Sequence, residues 1–107
     1  MSEEFWKSYR ECRRKVRKSE KAGLLEMARA MEDEARDWVA YYGVTVEIRR
    51  FDIWDHWMFS DCKGRLLDFW PTTNLVMPAP SVMEGQKKMR VKSCEAAIDL
   101  AIACGRQ

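Results

Sequence analysis

The chain has 107 residues, 47% apolar and 34% charged, enough for one hydrophobic core and too short for two. No apolar run approaches the roughly eighteen residues of a membrane span, and no signal-peptide pattern opens the chain, so a cytoplasmic location and no membrane partner are expected. The net charge of +2 argues against a uniformly basic nucleic-acid binder, but the charge is segregated. Residues 1–23 carry eight Lys/Arg against four acids, 24–61 carry nine acids against four bases, and 62–107 carry seven bases against four acids.

Ser2 is placed to cap a helix whose first turn holds Glu3 and Glu4. Phe5, Tyr9, Cys12 and Val16 follow on one helical stripe, surrounded by Arg10, Arg13, Arg14, Lys15, Arg17, Lys18 and Lys21. Such a cluster is the footprint of a phosphate backbone or an acidic protein partner; a solvated helix face explains it equally well. Beyond Gly23 a second stripe runs through Leu24, Ala28, Met31, Ala35, Trp38 and Tyr42, opposite Glu26, Glu32, Asp33, Glu34 and Asp37. The spacing allows one bent helix over this region or a helix pair with a turn near Lys18–Gly23. Gly43 fits a helix C-cap.

Val44, Val46 and Ile48 alternate with polar residues and predict a first strand. Phe51–Trp54 link it to a hairpin in which Trp57 and Phe59, then Leu67 and Phe69, keep the period of two. A three-residue loop, Cys62-Lys63-Gly64, pairs Asp61 with Arg65, Phe59 with Leu67 and Trp57 with Phe69, making one face wholly apolar. The other face then carries His56, Met58 and Ser60 opposite Leu66, Asp68 and Trp70. His56, the only histidine, falls across from Trp70 and diagonal to Asp68, close enough for that carboxylate to orient its ring. Pro71 ends the second strand or places it at an edge.

Residues 72–91 read as a long loop with a short edge strand at Leu75–Met77, ending in Lys87, Lys88, Arg90 and Lys92. Ser93 then precedes the apolar stripe Cys94, Ala97, Ile98, Ala101 and Ile102, a C-terminal helix over 93–104 closed by Gly105. The expected fold is a single α+β domain over 1–107: a helical region at 1–42, basic then acidic; a three-stranded antiparallel sheet at 44–71; the loop; and the last helix. Both helical regions cover one sheet face. The four cysteines show no C-x-x-C spacing and, with one histidine, make a poor zinc set. Reduced thiols, no metal and no cofactor are expected.

The run Gly64, Asp68, Phe69, Trp70, Pro71, Thr72 and Thr73, preceded by Gly43-Val44, resembles a G-x-x-x-D-[FY]-[WY]-P-[TGS]-[TS] box of small phage and prophage proteins. The likeness covers about residues 38–104. Members of that group commonly carry a glycine and a tryptophan soon after the box, where this chain has Asn74 and Leu75. The resemblance implies a phage accessory product acting in the cytoplasm of a bacterial host, and it implies no activity. The element order is also similar to that of double-stranded-RNA-binding domains, whose Lys-rich turn before the last helix resembles the placement of Lys87, Lys88 and Lys92. HicA-type messenger-RNA interferases carry a histidine where His56 stands, but this chain has Trp54-Asp55 in place of their Gly-Ser-His lead-in.

Three functional expectations follow. The first is a non-enzymatic, anti-CRISPR-like inhibitor or modulator of a host nucleic-acid-acting or defence system. It would work through protein contacts anchored by exposed Trp6 and Trp54, with Trp38 and Trp57 in the core; a homodimer through the N-terminal helix is compatible with it. The second is direct binding of double-stranded nucleic acid through the basic runs Arg10–Lys21, with Arg10, Arg13, Arg14, Arg17 and Lys18, and Lys87–Lys92, with Lys87, Lys88 and Lys92; His56 and Trp70 are further candidate binding residues. The third is a ribonuclease using His56 as acid or base, oriented by Asp68.

Overall fold

A computed structural model of the chain describes residues 3–80, 82 and 88–105, with side chains from residue 17 onward. The elements run α1 (Glu3–Ala30), α2 (Glu32–Tyr41), β1 (Thr45–Arg50), β2 (Asp55–Asp61), β3 (Gly64–Trp70), β4 (Leu75–Pro78), β5 (Met89–Arg90) and α3 (Cys94–Gly105). The class is α+β as expected, but the antiparallel sheet has five strands in the order β1-β2-β3-β4-β5 instead of three. The two extra strands lie inside the stretch expected to be a loop. Leu75–Met77 is a strand, yet not an edge, because Met89 and Arg90 pair outside it.

The helical region breaks at Met31, not near Lys18–Gly23. α1 runs unbroken through Gly23, whose missing side chain leaves the backbone hydrogen bonds of the helix intact. The Met31 N–H turns back to the Ala28 carbonyl at 3.0 Å, and α2 restarts from there. The buried face shares Ala28 and Ala35 with the expected stripe and elsewhere takes the neighbouring residue. The buried positions are Leu25, Ala28, Glu32, Ala35 and Val39, so Met31 is only partly buried, and Trp38 and Tyr42 stand 39% and 40% exposed. Trp38 is therefore not the core residue that the stripe implied; Trp57 is, with no exposure at all. Gly43 ends α2 at φ +77°, a conformation that costs glycine little.

α2 and α3 cover one face of the sheet. Ala35 and Val39 from α2, with Ala97, Ile98 and Ala101 from α3, meet Trp57, Phe59, Leu67, Phe69 and Val76. Full burial of each large side chain contributes about 1.5–3 kcal/mol, so these few residues dominate the core. Trp57 and Phe69 meet edge to face at 5.8 Å. Ser93 Oγ accepts the Ala96 N–H at 3.2 Å, the N-cap that starts α3. At the other end Gly105 lies so close to Val44 and Leu66 that a Cβ would fall 3.1 Å from Val44 Cγ2.

The hairpin keeps the expected pairs Trp57–Phe69 and Phe59–Leu67, then slips. Ser60 pairs with Arg65 and Asp61 with Gly64, leaving Leu66 as the extra residue of a β-bulge. The loop is thus Cys62-Lys63, with Gly64 at φ +131° starting β3. Asp61 does not face Arg65; its Oδ1 instead accepts the Lys63 N–H at 2.8 Å. The bulge turns Leu66 into the core beside Val44 and sends Arg65 to the opposite face, where it approaches Met58 and Asp68.

Two ion pairs fasten the helices to the end of the β1–β2 hairpin. Arg29 Nε and Nη2 donate to Asp55 at 3.1 and 3.0 Å, and Nη2 also reaches the Phe51 carbonyl at 3.1 Å. Arg50 Nη2 pairs with Glu32. The hydrogen bond to Asp55 raises the Arg29 pKa above its ordinary value. Asp55 has no solvent exposure, whereas the Arg29 side chain is one-third exposed. Replacing Asp55 by alanine is expected to destabilise the fold by about 3 kcal/mol, the lower end for a buried pair because Arg29 can turn to water. Urea denaturation with an unchanged m-value measures it, and an unchanged midpoint would show that this pair does not hold the helices.

Candidate functional site

On the face away from α2 and α3, cross-strand pairing sets residues in a row. Arg49 of β1 pairs with His56 of β2, Trp70 of β3 pairs with Leu75 of β4, and Leu75 pairs with Arg90 of β5. His56 and Trp70 join the two halves by stacking, at 4.7 Å between centroids and 4° between planes. His56 Nε2 lies 3.1 Å from Asp68 Oδ1, and Arg65 Nη1 lies 3.8 Å from Asp68 Oδ2. The expected geometry of His56, Trp70 and Asp68 is present. Lys88 Nζ sits over the Trp70 ring at 5.5 Å. Trp70 is therefore engaged by protein groups on its π-system, so it is poorly placed to stack on a nucleic-acid base.

The row ends in a groove of about 600 Å³ built from three distant parts of the chain. Arg17, Glu20, Lys21 and Leu24 of α1 form one wall, Thr72, Thr73 and Asn74 of the β3–β4 turn form the floor, and Arg90 and Val91 form the other wall. The turn is held rigidly. The Thr73 N–H and Oγ1 both donate to the Trp70 carbonyl, at 3.2 and 3.4 Å, and Asn74 takes the left-handed conformation at φ 53°. Its carbonyl accepts the Val91 N–H at 2.8 Å, which ties the turn to the end of β5. Three cations and one carboxylate line this groove, with hydroxyl and amide groups between them, a lining suited to phosphate oxygens.

The structure thus brings Arg17 together with a part of the C-terminal basic segment. It does not gather the other sequence candidates there. Lys18 lines an adjacent groove of about 470 Å³ with Ala22, Leu25, Glu26 and Ile53, and Lys21 borders both grooves. Lys92 is exposed beside a small cleft formed with Met27, Met31 and Cys94. Trp54 is 39% exposed and stacks on Phe51 at 3.8 Å, with Ile53 between them 75% exposed. The side chains of Trp6, Arg10, Arg13 and Arg14, and Lys87 as a whole, lie outside the described residues. Lys21 and Arg90 belong to the two basic runs that the sequence singled out, whereas Asn74 and the neighbouring threonines of the turn were not read as part of a site.

No protein-family model, no curated protein and no solved structure matches the chain. The box carries its own physical logic instead. Gly64 supplies the positive φ, Asp68 holds His56, Phe69 fills the core, Trp70 stacks, and Thr72 and Thr73 enter the groove. Among the described residues no group of three or more His, Cys, Asp or Glu side chains is placed to hold a metal ion, and no helix is long and apolar enough to cross a membrane.

The thiols differ sharply. Cys62 is exposed in the hairpin loop, and burial raises the pKa values of Cys94 and Cys104, the former to about 11 with a further push from Glu95. A brief reaction with a disulfide reagent at mildly alkaline pH, followed by peptide mapping, is expected to label Cys62 well before Cys94 and Cys104, since the thiolate is the reactive form. Equal labelling of all three would contradict the packing of α3.

Proposed function

We propose that this chain is a non-catalytic binding protein that grips a nucleic-acid backbone in the groove between α1 and the β3–β4 turn. The observation that carries this reading is the convergence of Arg17 and Lys21 with Arg90, cations some seventy residues apart in sequence, around a turn of small polar residues. Such a lining suits backbone contacts, which position a duplex without reading its sequence. The acidic segment does not stand in the way. Glu26, Asp33, Glu34 and Asp37 are exposed but absent from the groove lining, and Glu32 is buried against Arg50. Lys88 over Trp70, and Arg49 at the far end of the sheet row, add positive charge beyond the groove.

A second reading rests on a different surface. Phe51, Ile53 and Trp54 at the β1–β2 turn form apolar and aromatic surface that a protein partner would cover. It supports the phage-type inhibitor of a host defence or nucleic-acid-acting system, working in a bacterial cytoplasm by protein contact. A ribonuclease rests only on the His56–Asp68 contact, and His56 is not among the residues lining the groove.

Titration of labelled duplex RNA, duplex DNA and single strands at two salt concentrations separates these readings. The groove predicts binding that weakens with salt, and a slope of log K against log salt reduced by about 2–3 when Arg17, Lys21 and Arg90 are all replaced by alanine. Absence of binding to every strand would sink the groove reading and leave the inhibitor, which requires that Ile53→Asp with Trp54→Ala abolish protection of a phage in a host-restriction assay. Recovered RNA that is cut by the native chain and left intact by His56→Ala would install the ribonuclease instead.

A further inference from the structure

The groove between α1 and the β3–β4 turn holds one residue that a phosphate site does not call for. Glu20 shares a face of α1 with Arg17, Lys21 and Leu24, because residues three and four apart on a helix stand side by side. Its side chain is exposed, and among the described residues no cation lies within ion-pair distance of its carboxylate. Arg17, Lys21 and Arg90 are likewise without a carboxylate partner among the described residues. Neutralising the groove cations therefore does not account for Glu20. Beside a bound phosphate it is a like charge, unfavourable there unless something donates a hydrogen bond to it. The floor of the groove has the same mixed character. Thr72 and Asn74 offer acceptor oxygens as well as donors, and neither side chain makes a hydrogen bond within the described residues.

The chemistry of a nucleic-acid backbone limits what such an acceptor can take. Phosphate and sugar-ring oxygens only accept, so a DNA backbone has nothing to give a carboxylate. An RNA backbone carries a donor on every nucleotide, the 2′-hydroxyl, and this is the group by which a protein tells the two apart. Resting on the groove as a backbone-binding site, we propose that it selects RNA over DNA. Arg17, Lys21 and Arg90 hold phosphate oxygens, and Glu20 accepts a hydrogen bond from a ribose 2′-hydroxyl of the same strand. Dinucleotide-binding folds hold ribose hydroxyls with an acidic side chain in the same way. The carboxylate acts in two directions, attracting the hydroxyl of RNA and repelling a DNA phosphate that would otherwise settle against α1. The cations set the affinity and Glu20 sets the preference.

The test titrates the full chain, at one low salt concentration, with three duplexes of the same sequence: RNA, DNA and fully 2′-O-methylated RNA. The methylated duplex keeps the phosphates and the A-form and has no 2′-hydroxyl proton. RNA is expected to bind about tenfold more tightly than DNA, the effect of one hydrogen bond to a charged group, and methylated RNA no better than DNA. Glu20→Ala, a helix-favouring change at an exposed position, is expected to bind RNA and DNA alike, with DNA held about threefold more tightly than by the native chain because the repulsion is gone. Arg17→Ala is expected to weaken RNA and DNA equally and leave their ratio unchanged. Equal binding of RNA and DNA by the native chain, both lost when Arg17, Lys21 and Arg90 become alanine, would overturn the proposal and leave the groove as a backbone site. Methylated RNA bound as tightly as RNA overturns it too, since duplex shape is then what discriminates, and so does an RNA preference that survives Glu20→Ala. Binding of no duplex removes the backbone site and the proposal together.

Discussion

The fold turns on a carboxylate that water cannot reach. Asp55 begins β2 on the helix side of the sheet, and a buried anion there is tolerable only because Arg29 meets it with two nitrogens. The same guanidinium takes the Phe51 carbonyl, so one side chain fixes both the strand and the turn before it. Three residues later Glu32 meets Arg50 on the neighbouring strand. Met31 stands between these two anchors, and the helix breaks there. α1 brings Arg29 to Asp55, and α2 lies over β1 with Ala35 and Val39 inward. The direction in which α1 leaves the body, and hence the groove against the β3–β4 turn, is inherited from that clamp.

The bulge at Leu66 plays a comparable part on the other side of the sheet. Without it, strict alternation would put Leu66 among His56, Met58 and Trp70 and turn Arg65 to the helix side. One extra residue exchanges them: Leu66 joins Val44 and Gly105 in the core, and Arg65 comes to Asp68, which already holds His56. The result is a partly buried polar chain, Arg65–Asp68–His56, laid against Trp70 and capped by Lys88. Its members satisfy one another, which is how a carboxylate only 4% exposed survives on a sheet face. The arrangement stiffens the row between Arg49 and Arg90, and it leaves His56 committed to a structural contact.

Much of this was legible from residue types because it depends on short-range periodicity. The two-residue period of Trp57–Phe59 and Leu67–Phe69, with a glycine in between, is enough to place His56 on Trp70 and beside Asp68. The bulge escaped because Asp61 and Arg65 make an attractive pair on paper, and opposite charges near a turn look the same whether or not the ladder slips. Met31 escaped because nothing in the local sequence breaks the helix there. The stripe through Trp38 shares Ala28 and Ala35 with the buried face; from those shared positions either i+3 or i+4 continues a helical line, and the structure buries Glu32 and Val39 where the stripe took Met31 and Trp38. β4 was read at Leu75–Met77 but as an edge, and β5 escaped because a strand of two residues carries almost no pattern of its own. The groove was the least legible feature. Its walls come from residues 17–24, 72–74 and 90–91, and only the meander of the sheet brings them together.

The groove also bears on the charge segregation of the sequence. A lining that holds three cations among its described residues would make few phosphate contacts, and a few such contacts give weak, salt-sensitive binding. The acids of the helical region would not oppose it. Glu26, Asp33, Glu34 and Asp37 are exposed but absent from the groove lining, and Glu32 is paired with Arg50, so Glu20 is the one carboxylate that shares the lining with Arg17, Lys21 and Arg90.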